Sequence, residues 1–69
     1  MNRIPVSSSN VYSIGYDPNT LTLEVEFTNG SIYQYFDVPE IEYNNLIGAE
    51  SIGSYLYQNI KNNYRYAKL

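Results

Sequence analysis

From Leu21 to Thr28 apolar and polar residues alternate strictly: Leu21, Leu23, Val25 and Phe27 are interleaved with Thr22, Glu24, Glu26 and Thr28. That period of two predicts a strand with one buried face. Asn29-Gly30 follows at once, a pair that tolerates positive φ at both centres of a type I′ turn, and Ser31 to Asp37 then returns as the next strand. An earlier strand is predicted over Val11 to Asp17, where β-branched and aromatic residues run into the turn Asp17-Pro18-Asn19-Thr20. The residues before it end in Ser7-Ser8-Ser9-Asn10, short polar side chains that bond their own backbone and read as an irregular lead-in.

Downstream the period lengthens. Val38-Pro39-Glu40 starts a helix, with Pro39 accommodated in the first turn and Glu40 and Glu42 near the positive end of the dipole. Ile41, Tyr43, Leu46 and Ile47 form its apolar side and Gly48 ends it. A second helix, capped by Ser51 or Ser54, carries Ile52, Tyr55, Leu56 and Ile60 on one stripe and fades near Asn62-Asn63. The tail, Tyr64 to Leu69, alternates aromatic and basic residues and is expected to dock on the sheet as a short extended piece. The expected architecture is α+β: a three-stranded antiparallel β-meander followed by two short α-helices, in ββαα-type packing on one sheet face, with residues 1–69 as a single domain.

A two-residue bend at Asn29-Gly30 places Thr28 opposite Ser31. Counting back, Phe27 faces Ile32, Val25 faces Gln34 and Leu23 faces Phe36 on the buried side. The same count sets Glu26 opposite Tyr33 and Glu24 opposite Tyr35 on the outward side, so that tyrosines and carboxylates share one surface. On this register Tyr35 lies off the core.

Composition narrows the chemistry. With neither cysteine nor histidine in 69 residues, the chain has no disulfide or structural metal site to reinforce a small core, so association into a homo-oligomer is an expectation. The usual general base near neutral pH and the usual thiolate nucleophile are also missing, which makes a non-enzymatic binding domain without cofactors the expected class. Glu24 and Glu26, two apart on a strand, are the nearest approach to a paired-acid centre and read better as surface acids. No apolar run approaches the ~20 residues of a spanning helix, and the start Met1-Asn2-Arg3-Ile4-Pro5 lacks the apolar stretch of a signal peptide. A cytoplasmic protein, with no membrane partner, is expected.

The net charge of −3 hides a division: residues 1–50 hold all seven acids against Arg3, whereas residues 51–69 hold Lys61, Arg65 and Lys68 and no acid. Nine tyrosines stand out. Tyr33 and Tyr35 would form a stacking platform, each ring worth about 1–3 kcal/mol against a base. Lys61, Tyr64, Arg65 and Tyr66 would form the phosphate-seeking cluster beside it. The plainer account of the same rings is a face covered by the N-terminal segment, the tail or a second copy. Two functions from different classes follow: contact with RNA or a nucleotide-like ligand through the tyrosines and basic tail, or recognition of a host protein by the surface bearing Glu24, Glu26, Tyr33 and Tyr35. In the second case the chain would be an interaction module, such as a phage-encoded inhibitor or a sequestering oligomer.

Taken in order, Val6-Ser7-Ser8-Ser9-Asn10, Ile14-Gly15-Tyr16-Asp17, Leu23 to Phe27, Gly30 to Pro39, and Gly53-Ser54-Tyr55 through Ile60 to Tyr64-Arg65-Tyr66 resemble the KTSC domain family over nearly the whole chain. The resemblance implies a small domain of the kind found as stand-alone bacterial and phage proteins and as a C-terminal appendage of some lysyl-tRNA synthetases. The family's central mark, a Tyr-X-Tyr pair, is matched by Tyr33 and Tyr35. The synthetase association is the ground on which RNA binding is suggested for the family, and it remains an analogy. Typical members carry a lysine just before the Gly-Ser pair, where this chain has Ile52.

Overall fold

Strict alternation in the central strand lets one sheet face bury leucine and valine while the other stays polar. The computed structural model describes residues 1–69 and contains a five-stranded sheet in the order β1-β2-β3-β4-β5, every neighbouring pair antiparallel. The strands are β1 (Arg3–Pro5), β2 (Val11–Asp17), β3 (Thr22–Phe27), β4 (Ile32–Tyr35) and β5 (Tyr66–Lys68). The α+β class is as expected, but the three-stranded meander gains a strand at each edge. The tail does dock as an extended piece, as β5 against β4. The N-terminal lead-in is not wholly irregular, because Arg3–Pro5 pairs with β2.

Arg3 holds that first strand in place. Its guanidinium donates to Glu24, to Glu26 at 3.4 Å and, through Nε, to the Ser13 hydroxyl at 3.1 Å. Three residues are too few to display a period, so the strand is set by pairing and these side-chain bonds rather than by a local pattern. The serine run behaves as its chemistry requires: the Ser8 hydroxyl accepts from the backbone N–H of Asn10 and Val11 at 3.4 and 3.3 Å.

The register of the central hairpin differs from the expected one. Leu23 pairs with Tyr35, Glu24 with Gln34, Val25 with Tyr33 and Glu26 with Ile32. The loop has three residues, Thr28, Asn29 and Gly30, closed by Phe27 N–H to Ser31 O at 2.8 Å and Gly30 N–H to Phe27 O at 2.9 Å. Only Gly30 has positive φ, 90°, so the pair does not make a type I′ turn but a turn followed by a left-handed glycine. The Asn29 side chain accepts from Ser31 N–H at 3.0 Å, which settles the bend. In the expected register the Gln34 amide would have faced Val25 in the core without a partner. In the observed one it donates to Glu24 at 2.9 Å and the tyrosine rings take the buried side.

All helical structure lies on that side. Helix α1 (Glu40–Ile47) follows Pro39 and ends at Gly48, with Glu40 and Glu42 in its first turn. Tyr16 stacks on Tyr43 with ring centroids 4.8 Å apart and planes 9° from parallel, and its hydroxyl donates to Val38 O at 2.5 Å. Helix α2 (Ile52–Tyr55) is capped by Ser51, whose hydroxyl accepts from Ser54 N–H at 3.3 Å, and continues as a π-helical segment from Leu56 to Ile60. There Lys61 N–H reaches Leu56 O at 2.9 Å, five residues back. The Asn59 side chain donates to the Tyr55 carbonyl at 3.3 Å and that of Asn63 to the Asn59 carbonyl at 2.7 Å, satisfying groups that the widened turn loosens. Leu56 and Ile60 both enter the core, with Val11, Ile14, Leu23, Val25, Tyr35, Val38 and Leu46. No helix is long and apolar enough to cross a membrane.

Candidate functional site

Alternation along β4 and β5, together with their pairing, brings three rings together. Tyr35 faces Tyr66 and Tyr33 faces Lys68 across the ladder, so all four side chains occupy the helix-bearing side of the sheet. The Tyr33 and Tyr35 rings stack at 6.3 Å, and Tyr66 lies 5.8 Å from Tyr33 and 6.1 Å from Tyr35. Phe27 meets Tyr33 edge-on at 5.6 Å. Against this cluster the π-helical segment sets Tyr57 and Lys61, with the ammonium 5.1 Å from the centre of the Tyr57 ring.

Between the two walls is a cleft of about 310 Å³. Tyr33, Tyr35, Tyr57 and Tyr66 supply its aromatic surface; Lys61, Asn10, Asn29, Ser31 and Asn62 supply its polar groups. Tyr35 is only 3% exposed and forms the floor, its hydroxyl pKa raised by burial and then by Tyr33 and Tyr66. Tyr57 and Tyr66, at 65% and 59% exposed, form the accessible rings. No group of three acids converges in the chain to hold a metal ion.

Four of the residues proposed from sequence, Tyr33, Tyr35, Lys61 and Tyr66, therefore meet in one cleft. Tyr64 and Arg65 do not join them. The Tyr64 hydroxyl donates to Glu42 at 2.9 Å, and burial followed by that bond pushes its pKa up to about 12. Tyr55 donates to the same carboxylate, so Glu42 ties α1 to α2 and to the start of the tail. Arg65 pairs with Asp37 at 2.8 Å and lies over the Phe36 ring, both charges well exposed. Strand alternation sends Phe36 and Arg65 away from the cleft while it turns Tyr35 and Tyr66 into it.

Glu24 and Glu26 are on the opposite face from Tyr33 and Tyr35, so the shared acidic and aromatic surface expected from the two-residue bend does not exist. Both acids are engaged by Arg3, and Glu24 is buried beneath it. Hydrogen bonds from Gln34 and then Arg3 hold the Glu24 carboxyl below its ordinary range despite opposing desolvation. The two arginines thus carry every ion pair in the chain, leaving Lys61 and Lys68 unpaired, both on the aromatic side.

Tyr57 escaped the sequence reading, although a signal was present. Its spacing of four from Lys61, one step off the Ile52, Leu56, Ile60 stripe, puts ring and ammonium side by side on a helix. The asparagines carried no such signal, because Asn10, Asn29 and Asn62 converge only through tertiary packing.

The fold and cleft define a small α+β domain with a five-stranded antiparallel sheet, a helical layer on one side and a tyrosine-lined recess between them. The chain belongs to the KTSC domain family, whose model matches residues 7–64. A KTSC domain protein of Yersinia pestis, known from a crystal structure, superposes with a TM-score of 0.93 at 42% identity, covering 99% of this chain and 96% of that one. An uncharacterised protein of Stutzerimonas stutzeri is 40% identical over 100% of this chain and 99% of its own length. A lysine–tRNA ligase of Nostoc sp. is 44% identical over 78% of this chain, a match that spans 10% of the ligase.

Proposed function

We propose that this is a non-enzymatic binding domain whose tyrosine-lined cleft takes a nucleotide unit, free or within single-stranded RNA. The accessible rings of Tyr57 and Tyr66 stack on the base and Lys61 receives the phosphate, with Lys68 across the ladder from Tyr33 on the same side of the sheet. The observation that carries this reading is the division of charge between the faces. Unpaired cations flank the rings, while the sheet carboxylates Glu24 and Glu26 are turned away and half offset by Arg3. A phosphate approaching the rings therefore meets no nearby sheet carboxylate. The match to part of a lysine–tRNA ligase is consistent with work near RNA, as analogy.

Titration of the domain with a short oligouridylate, followed by tyrosine fluorescence and amide NMR shifts, tests the proposal. Shifts confined to the cleft, with a loss of roughly tenfold in affinity on Tyr66→Ala, are expected from one lost stacking contact. Binding that is insensitive to both Tyr66→Ala and Lys61→Ala would refute it.

A further inference from the structure

A second recess adjoins the aromatic cleft. It is an open trough of about 600 Å³ bordered by the serine turn, the start of α2 and the π-helical segment. Asn10, Gly53 and Tyr57 line both recesses, so the two are joined across a saddle rather than separated by a wall. Gly53 keeps that saddle low: a Cβ there would lie 2.4 Å from Asn10 Oδ1 and force the asparagine off the helix backbone.

The chemistry of the two recesses differs. The cleft has rings and an ammonium; the trough has hydroxyls, the Gln58 amide and one carboxylate, Glu50, with no cation. Ser8, Ser51 and Ser54 are engaged in local hydrogen bonds, whereas Ser7, Ser9 and Gln58 keep their side-chain donors and acceptors free. A phosphate would be repelled by Glu50 and find no counter-charge. A ribose 2′-hydroxyl suits the lining, since it donates to a carboxylate and accepts from amide and serine donors, as riboses do when they hydrogen-bond an acidic side chain.

We propose that this trough is a ribose subsite, so that the domain distinguishes RNA from DNA by the 2′-hydroxyl of the sugar next to the stacked base. The inference rests on the nucleotide reading of the cleft. Glu50 accepts from the 2′-hydroxyl, Gln58 donates to it, and the base of the same or adjoining nucleotide lies across the saddle on Tyr57.

The probes are an oligouridylate and an oligodeoxyuridylate of equal length, which differ only in that hydroxyl, titrated into the wild-type chain at one salt concentration. The expected result is an affinity about tenfold higher for the ribose form, the size of one hydrogen bond to a charged acceptor. Glu50→Ala and Gln58→Ala are expected to bring the ratio of ribose to deoxy affinity to about twofold or less. Gly53→Ala, which displaces Asn10, should lower the ratio as well. Both Glu50 and Gln58 are exposed, and unchanged thermal midpoints will separate lost recognition from lost folding. Equal affinity for the two probes, or a ratio unmoved by both Glu50→Ala and Gln58→Ala, would overturn the ribose subsite and leave the nucleotide reading intact. Failure to bind either probe would remove both.

Discussion

Tyr33 lies directly across the β3–β4 ladder from Val25, and so on the helix-covered side of the sheet. This one pairing separates the rings from the carboxylates of β3 and converts Tyr35 from a surface residue into core. Tyr35→Ala is expected to cost about 3–5 kcal/mol, as truncation of a large buried aromatic residue does, whereas the exposed Tyr66→Ala should cost under about 1 kcal/mol. Urea denaturation of the two variants would show it. Equal, small losses would mean that Tyr35 is not enclosed.

Two non-glycine residues, Leu21 and Asp37, sit at φ 57° and 59°, in the left-handed region. Leu21 also presents its carbonyl to Val38 N–H at 2.9 Å, which holds it there. Leu21→Gly relieves a strain of about 1–2 kcal/mol, partly offset by the added freedom of the unfolded chain. A net gain near 1 kcal/mol would raise the thermal midpoint by roughly 4–8 °C in a domain of this size. The opposite change, Gly30→Ala at φ 90°, is expected to lower it although no atom lies near the added methyl.

Stability should fall at both ends of the pH scale for identifiable reasons. The Tyr64 pKa is raised to about 12 in the folded chain from an ordinary 10.0, so its contribution is complete below pH 10 and disappears as pH climbs towards 12. Tyrosinate absorbance should show a late-ionising component, since burial also raises Tyr16 and Tyr35, and Tyr64→Phe should remove one ring from it. Glu24 is depressed below its ordinary 4.5; its contribution is present above that value and is lost as pH falls through the folded-state value. Glu24→Gln should flatten the acid limb of a stability profile.

If Lys61 and Lys68 are the two phosphate contacts, log affinity for single-stranded RNA should fall with log salt at a slope of about −1.4, or −0.7 per contact. Lys61→Ala should halve that slope. Arg65→Ala, which loses an exposed pair with Asp37 and the contact with Phe36 on the far side of the sheet, should leave it unchanged. Measurements between low and moderate salt decide the matter, and a slope that responds to Arg65→Ala instead would relocate the interface.

Much of this architecture was legible in residue order. Alternation from Leu21 to Thr28 marked β3, Pro39 and Gly48 framed α1, and the alternating tail announced β5. The hairpin register was not legible, because Gly30 suits both a two-residue and a three-residue bend. Choosing between them depends on distant events: whether Gln34 finds Glu24 and whether helices cover the tyrosines. The π-helical segment from Leu56 to Ile60 was not legible either, because Ile52, Leu56 and Ile60 would share one stripe of an ordinary helix just as well. Chemistry grouped Tyr33, Tyr35, Lys61, Tyr64, Arg65 and Tyr66, of which Tyr33, Tyr35, Lys61 and Tyr66 line one cleft, although Tyr33 and Tyr35 lie on the face opposite to the expected one.

The corner at Thr28-Asn29-Gly30 acts as a parity setting for the second half of the sheet. A slip of the pairing by one residue at this corner would turn β4 inside out: the tyrosines would emerge beside the acids and Gln34 would be driven into the interior. The left-handed Gly30 that closes the corner thus decides which side of the sheet is aromatic.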